Sequence, residues 1–362
     1  MRIKKLILKN FRNYADERFE FSEGLNLLFG RNAQGKTNCA EAVFYLCTGS
    51  SPRSRRDKQL IRIGADCAEI SAVAEGRYGE IEIYAKICEN SREVRINGNK
   101  IARNADILGN INSVFFSPHE LRLIQDGPDE RRRFLNISIS QLSKPYFVAL
   151  SRYNKILEQR NNLLKNRDIS LVYDTLPVWD EQLCKYAATV ARKRAEFIEV
   201  LAPIASAEHA NLTEGVEKLV LAPDKKYSGD EKQLERKMFD ELSANYDRDI
   251  RLGYTAFGPH RDDIDITIDG ADAKVYASQG QTRTAALSIK LAEVEIFKKL
   301  SGEYPVLILD DVMSELDLPR RKKLAERTGG LQTILTCTHA ERVLYGKNAN
   351  KIKIEGGAIK RK

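Results

Sequence analysis

Eight consecutive residues, Gly30-Arg31-Asn32-Ala33-Gln34-Gly35-Lys36-Thr37, constrain this chain more than any other segment. They fit the pattern Gly-x-x-x-x-Gly-Lys-Ser/Thr, and they lie between an apolar run, Leu25 to Phe29, and a stretch with helical spacing from about Lys36 to Cys47. Glycines let backbone N–H groups close around phosphate oxygens, and the N-terminal end of the following helix adds its dipole. Lys36 then reaches the β- and γ-phosphates, and Thr37 offers its hydroxyl to Mg²⁺. A glycine turn can match such a pattern by chance. A strand before it and a helix after it are what a phosphate cradle requires, so the pattern predicts a nucleotide-binding α/β core.

Four further segments follow in an order that restricts the class. Val306-Leu307-Ile308-Leu309-Asp310-Asp311 reads as an apolar strand delivering two acids at its C-terminal end. Asp310 suits a water-mediated Mg²⁺ contact and Asp311 the position of a catalytic base, although a strand ending in Asp-Asp is by itself as readily a turn or a helix cap. Ser278-Gln279-Gly280-Gln281 precedes a helical stretch from Thr282 and resembles the ABC signature, in which a serine hydroxyl and helix-start N–H groups recognise a γ-phosphate. In isolation it is an ordinary Ser N-cap. Ser314-Glu315-Leu316-Asp317 matches a D-loop, and His339 follows the apolar strand TILTCT where ABC proteins keep a switch histidine. In such proteins the signature of one subunit completes the ATP site of the other, which implies a two-fold dimer sandwiching two nucleotides.

The remaining chain divides by pattern. Ile3, Leu6, Leu8 and Phe11 begin a strand, and alternating stretches at Glu69 to Ala74, Ile81 to Ile87 and Glu93 to Ile96 end at the turn Asn97-Gly98, predicting a small antiparallel sheet. From Pro128 to about Asp249 the spacing becomes helical and strand signals are few. They return at Arg251 to Thr255 and Asp263 to Ile268, followed by a helix from about Thr282 to Leu300 and buried strands at Val306 to Leu309 and Thr333 to Thr336. The expected fold is α/β: an ABC-type P-loop ATPase head with an attached antiparallel β-subdomain and an inserted helical domain. The head would comprise residues 1–127 and 250–362, and the insertion residues 128–249.

Composition narrows the setting. With 362 residues, 42% of them hydrophobic, the chain can bury one large or two ordinary cores. No run approaches the roughly 18 apolar residues of a membrane helix, and the N-terminal MRIKKLILKNF alternates as a strand does, so a cytoplasmic protein without membrane attachment is expected. The net charge of +8 is compatible with a polyanionic partner. The basic run Arg53, Arg55, Arg56 and Lys58 supplies candidate phosphate contacts, although a charge run is usually a solvated face. Cys39, Cys47, Cys67, Cys88, Cys184 and Cys337 lie far apart, without metal-ligand spacing, and read as reduced core thiols. His209, in the helical region, reads as a surface residue.

LKNFRNY, FGRNAQGKTN, FFSPHELRLIQDGPDERRRFLN, TAFGPHRDD, SQGQTRT and LILDDVMSELD together resemble the RecF family of bacterial DNA repair ATPases from end to end. Two blocks, one with Gly127-Pro128 and Arg131-Arg132-Arg133, the other Gly258-Pro259-His260-Arg261-Asp262, are not generic ABC features. The resemblance implies an ATP-dependent homodimer that binds DNA at gaps or single/double-strand junctions. It also implies slow DNA-dependent hydrolysis and mediator partners of the RecR/RecO type that load recombinase. It places ATP on Gly30 to Thr37, with Ser278, Gly280 and Gln281 completing the site. Ala277 and Gln279 depart from the usual signature Leu and Gly, Asp311 stands for the common Glu, and His119 in SPHEL leaves the loop's Mg²⁺ contact unassigned. A transporter nucleotide-binding subunit would share the motifs but not the long stretch between Thr37 and Ser278. A metabolic P-loop kinase would need no signature serine, and an ATP-binding scaffold without turnover is the third alternative.

Overall fold

The computed structural model describes residues 1–54, 56–223, 229–314, 316–339 and 349–360. The chain divides into two compact units. The first comprises Met1–Leu121, Glu208–Val216 and Ser278–Lys362, and the second Arg122–Ala207 and Glu217–Ala277. This division differs from the expected one. Residues 250–277, expected in the head, cluster with the helical unit, whereas 208–216 cluster with the head.

The first unit holds two six-stranded sheets. In one, β1 (Arg2–Phe11), β2 (Tyr14–Glu20), β4 (Cys67–Gly76), β5 (Gly79–Cys88), β6 (Arg92–Ile96) and β7 (Asn99–Lys100) pair antiparallel in the order β2-β1-β4-β5-β6-β7. Ile3, Leu6, Leu8 and Phe11 are all buried although their spacing is not strictly two. A register shift between Ile3 and Lys5 supplies the extra residue between Ile3 and Leu6, and Asn10, at φ +47°, interrupts the alternation before Phe11. Asn97 and Gly98, both at positive φ, turn β6 into β7 as their sequence predicts.

The other sheet joins β3 (Leu25–Phe29), β8 (Ser113–Phe116), β12 (Val306–Asp310), β13 (Thr333–Cys337), β14 (Asn350–Glu355) and β15 (Ala358–Ile359) in the order β15-β14-β3-β13-β12-β8. All neighbours are parallel except β14 and β15. Its central strands are buried along their whole length and mostly apolar, as strands covered on both faces are. Helices α1 (Lys36–Thr48) and α9 (Gln279–Ser301) cover it; Phe44 of α1 meets Phe115 of β8 edge to face at 5.4 Å.

The second unit contains α2 (Arg122–Gln125), α3 (Pro128–Leu142), α4 (Lys144–Leu163), most of α5 (Ile169–Thr213), α6 (Glu231–Ala244), α7 (Tyr246–Leu252) and α8 (Ala273–Tyr276). Its three-stranded sheet, β11-β10-β9, joins β9 (Leu219–Pro223), β10 (Ile264–Ile268) and β11 (Ala271–Asp272), so the insertion is not wholly helical. Arg251 to Thr255, expected as a strand, is the end of α7 and the loop after it. Gly253 caps the helix in the left-handed conformation, and the buried Asp249 accepts from Arg160 at 2.7 Å and from Ala256 N at 3.0 Å. Arg160 is itself wholly buried and also bonds Asp180 and Thr255, which fixes α4, α5 and α7 together.

The two blocks outside the nucleotide motifs meet in this unit. Arg131 donates to Asp263 Oδ2 at 2.8 Å, and Arg194 to Pro259 O at 2.6 Å and Asn136 Oδ1 at 2.9 Å. Two further expectations are corrected. His209 is fully buried, its Nδ1 3.1 Å from Ser288 Oγ, because α5 ends inside the first unit. Cys67 and Cys88 form a disulfide across β4 and β5, whose register places them directly opposite; the other four cysteines are free and buried.

Candidate nucleotide site

Strand register assembles the site. Thr336 on β13 lies beside Asp310 of β12 on one side and Leu28 of β3 on the other, so the ends of all three strands come level. Asp310 Oδ1 accepts from Thr336 Oγ1 at 2.7 Å and from Thr37 Oγ1 at 2.8 Å. Burial raises the Asp310 carboxyl above its usual range, and the two threonine hydroxyls offset part of that. A threonine hydroxyl beside a carboxylate is the hard oxygen donor set that suits Mg²⁺.

The Gly30–Thr37 loop is shaped as a cradle. Gly30 has φ +151°, and a Cβ there would stand 2.2 Å from the Ile354 carbonyl oxygen, so only glycine fits. At Gly35, φ +116°, a Cβ would press the Asn13 side chain at 2.8 Å. Lys36 Nζ donates to Gly30 O at 2.7 Å and Arg31 O at 2.8 Å, folding its ammonium back onto the loop. Burial lowers its ammonium below the ordinary lysine value, although Asp311 and Asp310 favour the cation. Arg31, Asn32 and Ala33 are exposed at the loop crest.

Several residues outside the Gly30–Thr37 pattern brace the loop. Asn13 Nδ2 donates to Gln34 O at 2.9 Å, and the buried Tyr14 hydroxyl donates to Gly35 O at 2.9 Å. From the β14–β15 turn, Gly357 N donates to Gln34 O at 3.0 Å and Gly356 N to Gln34 Oε1 at 2.6 Å. Glu41, one turn into α1 and without exposed side-chain surface, accepts from Arg12, Arg53 and Ser51. Burial alone would raise its carboxyl, but those hydrogen bonds and the charge of Arg53 bring it below the ordinary value. An open cleft of about 820 Å³ adjoins the loop, lined by Arg12, Asn13, Asn38, Arg53, Ser54, Gln59, Ile61, Arg62 and Ile63.

The other expected residues fall as follows. Asp311 is half-buried at φ +54°, its N–H donating to Thr336 Oγ1 at 3.0 Å. Ser278 caps α9: its Oγ accepts from Gln281 N at 3.2 Å while Gln281 Oε1 accepts from Ser278 N at 2.9 Å, a complete capping box. Among the described residues, no hydrogen bond links Ser278, Gly280 or Gln281 to the Gly30–Thr37 loop of the same chain. His339 is exposed just past β13, with Nδ1 3.0 Å from Thr338 Oγ1. Arg53, expected in a free basic run, is engaged by Glu41 at 2.6 Å and Asn38 at 2.7 Å. Arg56 is exposed and Lys58 lies 3.8 Å from Glu89; Arg55 and Glu315 lie outside the described residues.

The family described as RecF/RecN/SMC N terminal domain matches residues 2–359. The DNA replication and repair protein RecF of Ruminiclostridium cellulolyticum is 41% identical over 369 residues, covering 99% of both chains. That of Agathobacter rectalis is 44% identical over 343 residues, covering 93% and 92%. The chain belongs to the RecF family. Solved structures of the recombination mediator protein RecF with ATP and with ATPrS superpose with TM-scores of 0.90 at 34% and 35% identity, covering 99% of this chain and 97% of theirs. An SMC head bound to the C-winged helix domain of ScpA superposes at 0.59 and 18% identity, which shows a shared fold alone. The family is one of ABC-type, SMC-like ATPases of DNA replication and repair.

Proposed function

We propose that this chain is an ATP-operated switch whose nucleotide-bound dimer grips DNA, and that it works with mediator partners of the RecR/RecO type at gaps or single/double-strand junctions. The observation that carries the reading is the capping box at Ser278. The serine is exposed at a helix start yet makes no bond to its own chain's phosphate loop, as a motif would if it served the loop of a second copy. With nucleotide bound, Lys36 would leave the two loop carbonyls for the β- and γ-phosphates, and Thr37 and Asp310 would hold Mg²⁺. Mg²⁺ supplies charge neutralisation at the phosphates when bound. The adenosine occupies the cleft beside Asn13 and Asn38. Asp311 orients and deprotonates the attacking water, and its side chain, one methylene shorter than Glu, makes turnover slow. ATP-bound relatives of 34–35% identity and the oxygen donor pair at Thr37 and Asp310 support the nucleotide assignment.

The test measures mass in solution and DNA affinity in parallel with ATP, ADP and no nucleotide, on single-stranded, duplex and gapped substrates. Dimerisation and tighter DNA binding with ATP only are expected. A dimer indifferent to nucleotide, or equal DNA affinity in ATP and ADP, refutes the switch.

A further inference from the structure

One end of the helical unit gathers cations from three chain segments. Leu164 at the end of α4 packs with Val172 and Leu176 near the start of α5, and Tyr246 and Ile250 of α7 pack on the same cluster. This apolar knot brings three chain segments to one surface. Lys165 and Arg167 stand exposed in the α4–α5 turn, and Arg248 and Arg251 on α7. Gly253, which ends α7, approaches the Lys165 side chain, since a Cβ there would lie 3.7 Å from Lys165 Cγ. The next residue, Tyr254, is 40% exposed, and the guanidinium of Arg261 sits 5.0 Å over its ring.

Some exposed cations elsewhere on this unit are matched: Arg192 and Lys193 both bond Glu196, and Arg122 lies 3.7 Å from Asp126. Lys165, Arg167, Arg248, Arg251 and Arg261 have no carboxylate partner among the described residues. The nearby exposed acids Asp168 and Asp247 accept from neutral donors, Leu171 N and the Tyr173 hydroxyl, and are outnumbered by these five cations. Unmatched like charges on one surface repel one another, an arrangement that a polyanion relieves. The planar Arg261 group, stacked on Tyr254, is oriented before any ligand arrives.

We propose that this surface contacts the phosphate backbone of DNA, a contribution separate from the nucleotide head. The proposal rests on the DNA-binding reading above. Guanidinium-to-phosphate contacts made without base-reading residues position the duplex rather than read its sequence. Binding here is therefore steeply dependent on salt and indifferent to base order.

The experiment titrates a fluorescent gapped duplex with the full chain and ATP at several salt concentrations, comparing wild type with R248A/R251A/R261A. A loss of three phosphate contacts lowers the slope of log K against log salt by roughly 2–3 and weakens binding by on the order of tenfold or more at moderate salt. ATP affinity and melting temperature stay at wild-type values, because the three side chains are exposed. R248K/R251K/R261K keeps the charges and is expected to retain most of the slope, whereas R192A/K193A, already ion-paired, leaves binding unchanged. Unchanged affinity and slope in the triple alanine protein overturn the proposal, including if that protein instead loses an acidic protein partner. If wild type itself fails to bind DNA more tightly with ATP than with ADP, the switch reading has failed. If it does so and the variant matches it, only this surface has failed.

Discussion

Replacing Glu41 by Gln tests whether the phosphate loop depends on the brace behind it. The carboxylate accepts from Arg12 at 2.9 and 2.7 Å, Arg53 at 2.6 Å and Ser51 at 2.5 Å, with no side-chain surface exposed. Gln keeps one acceptor oxygen but turns an NH₂ toward a guanidinium, so a buried donor loses its partner and two cations lose their counter-charge. Breaking a buried pair costs about 3–5 kcal/mol. Arg12 and Arg53 are 20% and 39% exposed, so water recovers part of this and about 2–3 kcal/mol remains. For a domain of this size that lowers Tm by roughly 4–12 °C. The sign of the pH dependence follows from the lowered carboxyl: its stabilisation is complete above the ordinary value of 4.5 and is lost as pH falls through the lower folded value. Calorimetry across pH 3 to 8, without nucleotide, should show the gap between wild type and E41Q closing on acidification. A gap under about 1 °C at neutral pH, or one independent of pH, would falsify the bracing role.

Four further outcomes are expected. Lys36→Ala lowers ATP affinity by on the order of 10- to 100-fold, the scale of one or two charge-assisted bonds, as read by calorimetric titration; retained affinity removes Lys36 from the site. Asp311→Asn keeps ATP binding while turnover falls by about 10²- to 10⁴-fold, and phosphate release at the wild-type rate moves the base elsewhere. Ser278→Arg keeps nucleotide binding in the monomer but abolishes the ATP-induced dimer seen by light scattering; normal dimerisation contradicts a shared site. Asp310→Asn removes an ionised carboxyl that burial disfavours, a burden that grows as pH rises past the ordinary 3.8 and is full above the raised folded value. The nucleotide-free variant should melt roughly 1–3 °C higher at neutral pH, lose that advantage in acid, and gain no stability from ATP with Mg²⁺; an unchanged response to ATP with Mg²⁺ argues against Asp310 as a metal ligand.

What could be read from sequence was whatever lies within one segment. The phosphate loop, the strand delivering Asp310 and the helix starting at Ser278 each carry their chemistry in a few adjacent residues, and each folds as its pattern predicts. The roles of Glu41, Asn13 and Thr336 were not legible because they come from partners 20 or more positions away. Arg12 reaches Glu41 across 29 residues, and Thr336 meets Asp310 only through the register of β12 and β13. The Cys67–Cys88 pair is hidden for the same reason, since a 21-residue separation says nothing about which residues a hairpin sets opposite. His209 misled because a helix that passes from one unit to the other buries its end among residues 79 positions later. Arg251 to Thr255 has β-like residues, but the buried Asp249 and the cap at Gly253 override that preference.

The strand that carries the phosphate loop waits a long time for its neighbours. Among the described residues β3 pairs only with β13 and β14, whose residues begin at Thr333 and Asn350, whereas the antiparallel sheet from β1 to β7 is complete by Lys100. During synthesis at roughly 5–20 residues per second, Leu25 to Phe29 therefore spends about 15–60 s outside any sheet of its own. Its apolar edges are open to wrong pairing throughout that interval. The nascent chain consequently cannot seat the Gly30–Thr37 loop on a finished sheet until nearly all of it has been made, and a ribosome stalled anywhere in the helical unit leaves a product that has the strands of the antiparallel sheet but not the parallel one.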